Sequence, residues 1–203
     1  MKITIIGTGN VGGALATKWA AAGHQIFLGT NNPENFKGKH LLENQNTSVH
    51  PIKEAAQLAD TILVATPAHV ATDLAATFGE ASEKVIIDAS NAIAKNPHPY
   101  PTAFHAFADL TKAEVVKCFN TTGYENMKDT NYGAVSLDMF MAGNSAKAKA
   151  VASQLAQDAG FEACYDFGQG DKVELLEKFA LSWINLAIFQ GMGRNIGFKL
   201  LKR

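Results

Sequence analysis

Three glycines near the amino terminus stand in G-x-G-x-x-G spacing, as Gly7-Thr8-Gly9-Asn10-Val11-Gly12. That spacing suits the binding of a pyrophosphate. Gly7 permits a tight turn, Gly9 lets the backbone approach the phosphates, and Gly12 brings a following helix against its strand. The same glycines serve in ordinary turns, so context decides. Here an apolar strand, Lys2–Ile6, precedes them, an amphipathic helix follows, and a second strand ends at Gly29. After that strand a dinucleotide site for NAD places an acidic side chain on the ribose 2′-hydroxyl. This chain has Thr30-Asn31-Asn32, neutral groups that accept a 2′-phosphate without repulsion, with Lys37 and Lys39 nearby if their loop folds back. NADP(H) is therefore favoured. NAD stays open because no arginine stands at the position, and Asn31-Asn32-Pro33 also reads as a plain turn.

Further along, the residues at strand ends are small, polar and almost uncharged: Thr66-Pro67-Ala68-His69, Ser90-Asn91-Ala92-Ile93 and Asn120-Thr121-Thr122-Gly123. No nucleophile–base or carboxylate pair stands out. Such a site suits hydride transfer, which depends on placing two rings in contact and excluding water. A carbonyl substrate would need a proton donor, for which His69 is the candidate; the competing explanation is a helix-start histidine hydrogen-bonded near the cofactor. Asn120, Thr121 and Tyr124 are candidates for a second-ligand pocket, with Met192 or Arg194 at its mouth, although Tyr124 also reads as a packed aromatic. His98 and His105 lack metal-ligand spacing with each other or with His69, so no metal site is expected.

The elements that must position these residues alternate between β-rich and helical runs. Strands are expected over 2–6, 25–29, 61–66, 84–89, 114–119 and 136–142, and helices over 11–22, 70–78 and 146–159, the last stopped by Gly160. The runs Ile62-Leu63-Val64-Ala65 and Val85-Ile86-Ile87 are continuously apolar, as in strands covered on both faces. The fold class is α/β, a doubly wound, mostly parallel sheet. Residues 1–168 form the dinucleotide-binding domain. Residues 169–203 form a small C-terminal helical segment that packs on the sheet domain or on a dimer partner. Asp171 and Glu174 resemble a capping box for that last helix, and the apolar stripe through Trp183 belongs to core or to a homodimer interface. The three prolines within 96–101 mark an exposed loop.

Composition bounds the partners. Eighteen Lys and Arg against 19 Asp and Glu give a net charge of −1, so nothing draws the whole molecule to nucleic acid or an anionic membrane, and the partner is a small molecule. The opening apolar run stops at Gly7, too short for a signal peptide. The stretch 179–192 is interrupted by Ser182, Asn185 and Gln190 and reads as a buried helix rather than a membrane span. Cys118 and Cys164, far apart in sequence, read as reduced core residues of a cytoplasmic protein.

Taken together, Gly7-Thr8-Gly9-Asn10-Val11-Gly12, Ala65-Thr66-Pro67-Ala68-His69, Ile87-Asp88-Ala89-Ser90-Asn91 and Lys117-Cys118-Phe119-Asn120-Thr121 resemble the blocks of the coenzyme F420-dependent NADP oxidoreductases. The likeness extends to Leu176-Glu177-Lys178-Phe179-Ala180 and to 191–198. It implies a Rossmann domain with a small helical C-terminal part, frequently dimeric, exchanging hydride between NADP(H) and F420 or a flavin. It also implies Thr8, Gly9, Asn10 and Val11 at the pyrophosphate, Thr30 and Asn31 at the 2′-phosphate, and Ala65, Thr66 and His69 beside the nicotinamide half. The family often has Ser-Arg where this chain has Thr30-Asn31. Two other readings stay open: a non-catalytic NADP(H)-binding redox sensor, and an imine reductase of the pyrroline-5-carboxylate reductase type. An enzyme should keep an open pocket beside His69, Asn91 and Asn120, which a sensor could fill.

Overall fold

The computed structural model describes all of residues 1–203. Six strands run parallel: β1 (Lys2–Ile6), β2 (Gln25–Thr30), β3 (Thr47–Pro51), β4 (Thr61–Val64), β5 (Val85–Asp88) and β6 (Glu114–Cys118). A short hairpin, β7 (Asn131–Tyr132) and β8 (Val135–Ser136), precedes β9 (Met139–Ala142), which pairs antiparallel with β6, and β10 (Cys164–Asp166) closes that edge parallel to β9. The order across the main sheet is β3-β2-β1-β4-β5-β6-β9-β10. Its first six positions are the doubly wound 3-2-1-4-5-6 order, which reverses direction between β1 and β4 and so opens a crevice at their carboxyl ends.

Because side chains alternate along a strand, each strand feeds two cores. On one face Ile3, Ile5, Leu28, Leu63 and Ile87 meet α1 (Asn10–Ala21) and α6 (Ala146–Asp158). On the other, Ile6, Ile62, Val64 and Ile86 meet α3 (Ala71–Phe78), α4 (Ala103–Leu110) and α7 (Val173–Ile184), with α2 (Ile52–Leu58) beside β2. The remaining helix, α5 (Tyr124–Lys128), is short and follows the loop after β6. Trp19 is fully buried and its indole N–H donates to the Leu155 carbonyl at 2.8 Å, tying α1 to α6. Ser145 caps α6 by accepting from the Ala148 N–H, and Gly160, at φ +100°, ends it where a side chain would be strained.

The expected strands and helices appear mostly within a few residues of the bounds read from sequence, and β3, β7, β10, α2, α4 and α5 join them. The edge strand β3, Thr47-Ser48-Val49-His50-Pro51, is half-buried, polar and ends in proline, so it carries no apolar run to announce it. The segment 136–142 divides into β8 and β9, with Leu137 and Asp138 in neither strand, because β8 pairs with β7 while β9 joins the main sheet beside β6. Asp171 does not cap α7: it lies in a single helical turn, Gly170–Lys172, and pairs with Lys172. The stretch 179–192 is not a buried helix. α7 stops at Ile184, a π-helical turn carries the chain through Phe189, and Leu181, Ile188, Phe189 and Met192 are exposed while Trp183 and Ala187 are buried.

The loop 96–101 is exposed as expected except at buried Pro97 and half-buried Tyr100. Cys118 is buried and Cys164 half-buried, and their sulfurs lie 3.9 Å apart. Burial pushes the Cys118 thiol pKa up. No helix is long and apolar enough to cross a membrane.

Candidate dinucleotide groove and active site

The groove starts at the turn between β1 and α1. Gly7 has φ +99°, and a Cβ there would sit 2.6 Å from the Ala65 carbonyl oxygen, so the turn can lie against the end of β4 only without a side chain. A Cβ on Gly12 would fall 1.9 Å from the Gly7 oxygen. Gly9 differs: its φ is −76° and a Cβ would meet nothing within 4 Å. The space above Gly9 is open, which fits a ligand approaching the backbone. No side chain caps α1 and no acidic residue stands in its first turn, so its unpaired N–H groups and positive dipole end face that space.

Three cavities follow one another along the carboxyl ends of the strands. The first, about 440 Å³, lies in the crevice beside β1, β2 and β4 and is lined by Thr8, Thr30, Asn31, Thr66, Asp73 and Thr77 among others. Thr30 is 8% exposed and its hydroxyl has no hydrogen-bond partner. An orphaned buried hydroxyl costs about 1–3 kcal/mol unless something satisfies it, and its place in the crevice fits the ribose or phosphate of a nucleotide.

The second cavity, about 220 Å³, shares Thr8 with the first and adds Gly9, Asn10, Lys37, His40 and Lys128. The loop after Asn31 does fold back: the Thr8 hydroxyl donates to the Lys37 carbonyl, and Asn32 Oδ1 accepts from the Glu34 and Asn35 N–H groups at 3.1 Å. Lys37 and Lys128 thus stand over the helix start, while Lys39 lines none of the three cavities.

The third cavity, about 250 Å³, shares Asn10 with the second and is lined by Val11, Asn91, Asn120, Tyr124, Trp183 and Arg194, with Thr122 and Ile184. Asn91 Nδ2 donates to the Asn120 carbonyl and Asn120 Nδ2 to Asn91 Oδ1, both at 2.9 Å. Asn120 Oδ1 is buried without a partner.

Beneath this pair lies a charge cluster that sequence reading did not find. Lys117, 0% exposed, reaches Asp88 at 2.8 Å and Glu177 at 2.5 Å. Asp88 Oδ1 accepts from the Ser90 N–H and hydroxyl, and Glu177 Oε2 accepts from the Ala92 N–H. The cluster therefore fixes the loop on either side of Asn91 and locks α7 to it. Asp88 and Lys117 are cross-strand partners in the β5–β6 register. A charge ending each of two apolar runs was the signal available, Val85-Ile86-Ile87-Asp88 and Val115-Val116-Lys117.

At the mouth of the third cavity Arg194 pairs with Glu125 at 2.5 Å. Burial works against the ionised Glu125 carboxyl, but the Arg194 hydrogen bond and charge, with a backbone N–H, outweigh it and hold its pKa below the usual value. A depressed folded pKa adds stability that is present above the unfolded pKa and lost as pH falls through the folded one. Wild type should accordingly exceed Glu125→Gln in unfolding free energy at neutral pH, with the gap closing in strong acid; a gap constant with pH would contradict the pairing.

The sequence candidates do not all converge. Thr8, Gly9, Asn10 and Val11 line the second and third cavities, and Thr30 and Asn31 line the first. Asn91, Asn120 and Tyr124 share the third. Thr66 lies in the first cavity rather than beside Asn91, because the turn after β4 leads toward Val70, Asp73 and Thr77 on the β2 side. Ala65 packs against Gly7. Pro67 and His69 are exposed, and His69 lines none of these cavities. Thr121 is buried and donates to the Met139 sulfur at 3.7 Å, so its neighbour Thr122 takes the cavity wall instead. Met192 lines a separate apolar hollow with Leu186 and Phe198, and Arg194 reaches the mouth. No cluster of His, Cys, Asp and Glu suited to a metal ion is present.

Comparison with known proteins agrees with this geometry. Residues 2–92, which hold the glycine turn, the crevice and the Asn91 loop, match the family model described as NADP oxidoreductase, coenzyme F420-dependent. A candidate F420-dependent NADP-reductase from Arthrobacter sp. FB24 superposes with a TM-score of 0.82 at 24% identity, over 100% of both chains. A hypothetical protein from Sinorhizobium meliloti gives 0.74 at 24% identity, over 100% of this chain and 96% of that one. A reductive aminase from Aspergillus terreus, in complex with NADPH and ethyl levulinate, gives 0.68 at 16% identity, and 94% of this chain spans only 62% of its length. Residues 2–92 thus match the model of the coenzyme F420-dependent NADP oxidoreductases, and the α/β Rossmann fold is shared along the whole chain with a candidate F420-dependent NADP-reductase.

Proposed function

We propose that the chain is an NADP(H)-dependent oxidoreductase that moves hydride between the nicotinamide and a second small redox molecule of the deazaflavin or flavin type. The observation that carries this reading is the continuity of the groove, from the orphaned Thr30 hydroxyl past the open face of Gly9 to the Asn91–Asn120 pair. In the reducing direction NADPH, a proton and the oxidised acceptor give NADP and the dihydro-acceptor.

The residues supply binding and exclusion of water rather than a nucleophile. The first cavity takes the adenosine end, with Thr30 and Asn31 at the 2′-phosphate. Gly9, Asn10 and Val11 present the helix start to the pyrophosphate, and Lys37 and Lys128 offset its charge. Asn91, Asn120 and Tyr124 frame the transferring ring. His69, exposed and outside the groove, is not assigned a proton-transfer role.

The open third cavity favours catalysis over a redox sensor, which has no need of space beside Asn91 and Asn120. Imine reductases share the fold, and this chain spans about three-fifths of their length, 62% in one case. The exposed Leu181, Ile188, Phe189 and Met192 support a homodimer, which sedimentation at micromolar concentration would test. For the activity itself, NADPH should be consumed with F420, FMN or FAD; binding of NADPH with no turnover on any of them would return the sensor reading.

A further inference from the structure

Arg194 is the only charged residue lining the third cavity. Its Nε donates to Glu125, and its guanidinium lies 5.6 Å from the Tyr124 ring centre and 5.4 Å from that of Trp183. The segment that carries it is pinned two residues on, where the Ile196 carbonyl accepts from Trp183 Nε1 at 2.7 Å and from Asn126 Nδ2 at 2.5 Å. Nη1 and Nη2 make no hydrogen bond, so most of the donors of a planar fork that is always charged are unused on a residue that lines the cavity.

Deeper in, Asn120 Oδ1 is an acceptor without a donor, on a side chain only 5% exposed. Its orientation is determined: Asn91 Nδ2 must face the Asn120 carbonyl, which turns Asn91 Oδ1 toward Asn120 Nδ2 and leaves Asn120 Oδ1 free. The cavity therefore offers an acceptor for an N–H at its floor, aromatic faces at its side and a cationic fork at its rim.

We propose that Arg194 is the specificity residue for the second substrate and binds an oxyanion, phosphate or carboxylate, carried by the hydride acceptor. This rests on the groove being the NADP(H) site proposed above. Glu125 holds the guanidinium in place and competes with the incoming anion.

The test is equilibrium binding to the NADP-saturated protein, which requires no turnover. The probes are three isoalloxazines: FMN with a phosphate, 10-carboxymethylflavin with a carboxylate, and riboflavin with neither. Wild type should bind FMN more tightly than riboflavin. A matching gain for the carboxymethyl compound means that any oxyanion serves; its absence restricts the site to phosphate.

Charge-assisted, bidentate contacts put the loss of FMN affinity in Arg194→Met at about ten- to a hundredfold, with riboflavin changed less than about twofold. Arg194→Lys should recover part of the loss. Glu125→Gln should act in the opposite direction and tighten FMN binding. Lys112→Met, which removes a cation at the amino end of β6, away from the carboxyl ends of the strands that form the groove, should leave both unchanged. Equal binding of FMN and riboflavin by wild type, equal losses for the two in Arg194→Met, or no flavin binding at all would overturn the proposal. NADP binding together with turnover on an uncharged acceptor would leave the oxidoreductase reading standing in each of those cases.

Discussion

Gly9→Ala is expected to leave the protein folded and abolish most of its affinity for NADPH, while Gly12→Ala should damage the fold itself. The two glycines stand three residues apart in one motif, but their surroundings differ. At Gly9 the new methyl meets nothing within 4 Å and the backbone is already in a region open to alanine, so stability should change by no more than about 0.5 kcal/mol. The methyl instead occupies the space through which a pyrophosphate reaches the helix start, and losing even one or two charge-assisted contacts there corresponds to about 2–4 kcal/mol, or roughly 30- to 1000-fold in Kd.

At Gly12 the methyl would lie 1.9 Å from the Gly7 carbonyl oxygen, a backbone atom that cannot rotate away. α1 would have to move off β1, and overpacking of this kind costs about 1–3 kcal/mol or more. Thermal unfolding together with nucleotide titration separates the two effects. Equal loss of stability in both variants would show that the motif serves only the turn.

The second large effect is expected at Lys117. Its replacement by Met leaves Asp88 and Glu177 facing each other in the core, Asp88 at 0% and Glu177 at 8% exposure. Breaking a buried pair from one side costs about 3–5 kcal/mol, a large fraction of the roughly 5–15 kcal/mol that holds a domain together. Neutralising the partners should return much of the loss, so the triple variant Asp88→Asn, Lys117→Met, Glu177→Gln is expected to unfold at a higher denaturant concentration than Lys117→Met alone. If the single and triple variants unfold alike, the cluster is not an electrostatic unit. Either result bears on function, since Ser90 and Ala92, the neighbours of Asn91, are held by this cluster.

The parts of this protein legible in its sequence were those encoded by local pattern. The glycine turn, the strand before it and the helix after it follow from residue type and spacing within a dozen positions. So do β4 and β5, whose apolar runs need no partner to be recognised. β3 was not legible, because an edge strand buried on part of one side needs no hydrophobic period.

The site was readable in pieces but not in assembly. Asn91 and Asn120 both stood at strand ends, and only the sheet order brings them into contact. Thr66 and His69 also stood at a strand end, yet the turn after β4 carries Thr66 to the first cavity and leaves His69 in solvent. Thr121 and Thr122 are chemically alike and adjacent, and one backbone step decides which faces the core. Glu177, on α7, reaches Lys117 from 60 residues away, a contact that no local rule contains. The apolar stretch after Phe179 misled in a related way: its composition speaks of burial, while the π-helical turn rotates Ile188 and Phe189 outward.

The most direct test of the central claim is an equilibrium titration of the purified protein with NADPH, NADP, NADH and NAD, repeated on Gly9→Ala. Saturable binding of NADPH and NADP, tighter than that of NADH and NAD and lost in the variant, is the expected result. Failure of all four nucleotides to bind, or binding indifferent to the Gly9 substitution, would contradict the assignment of the groove.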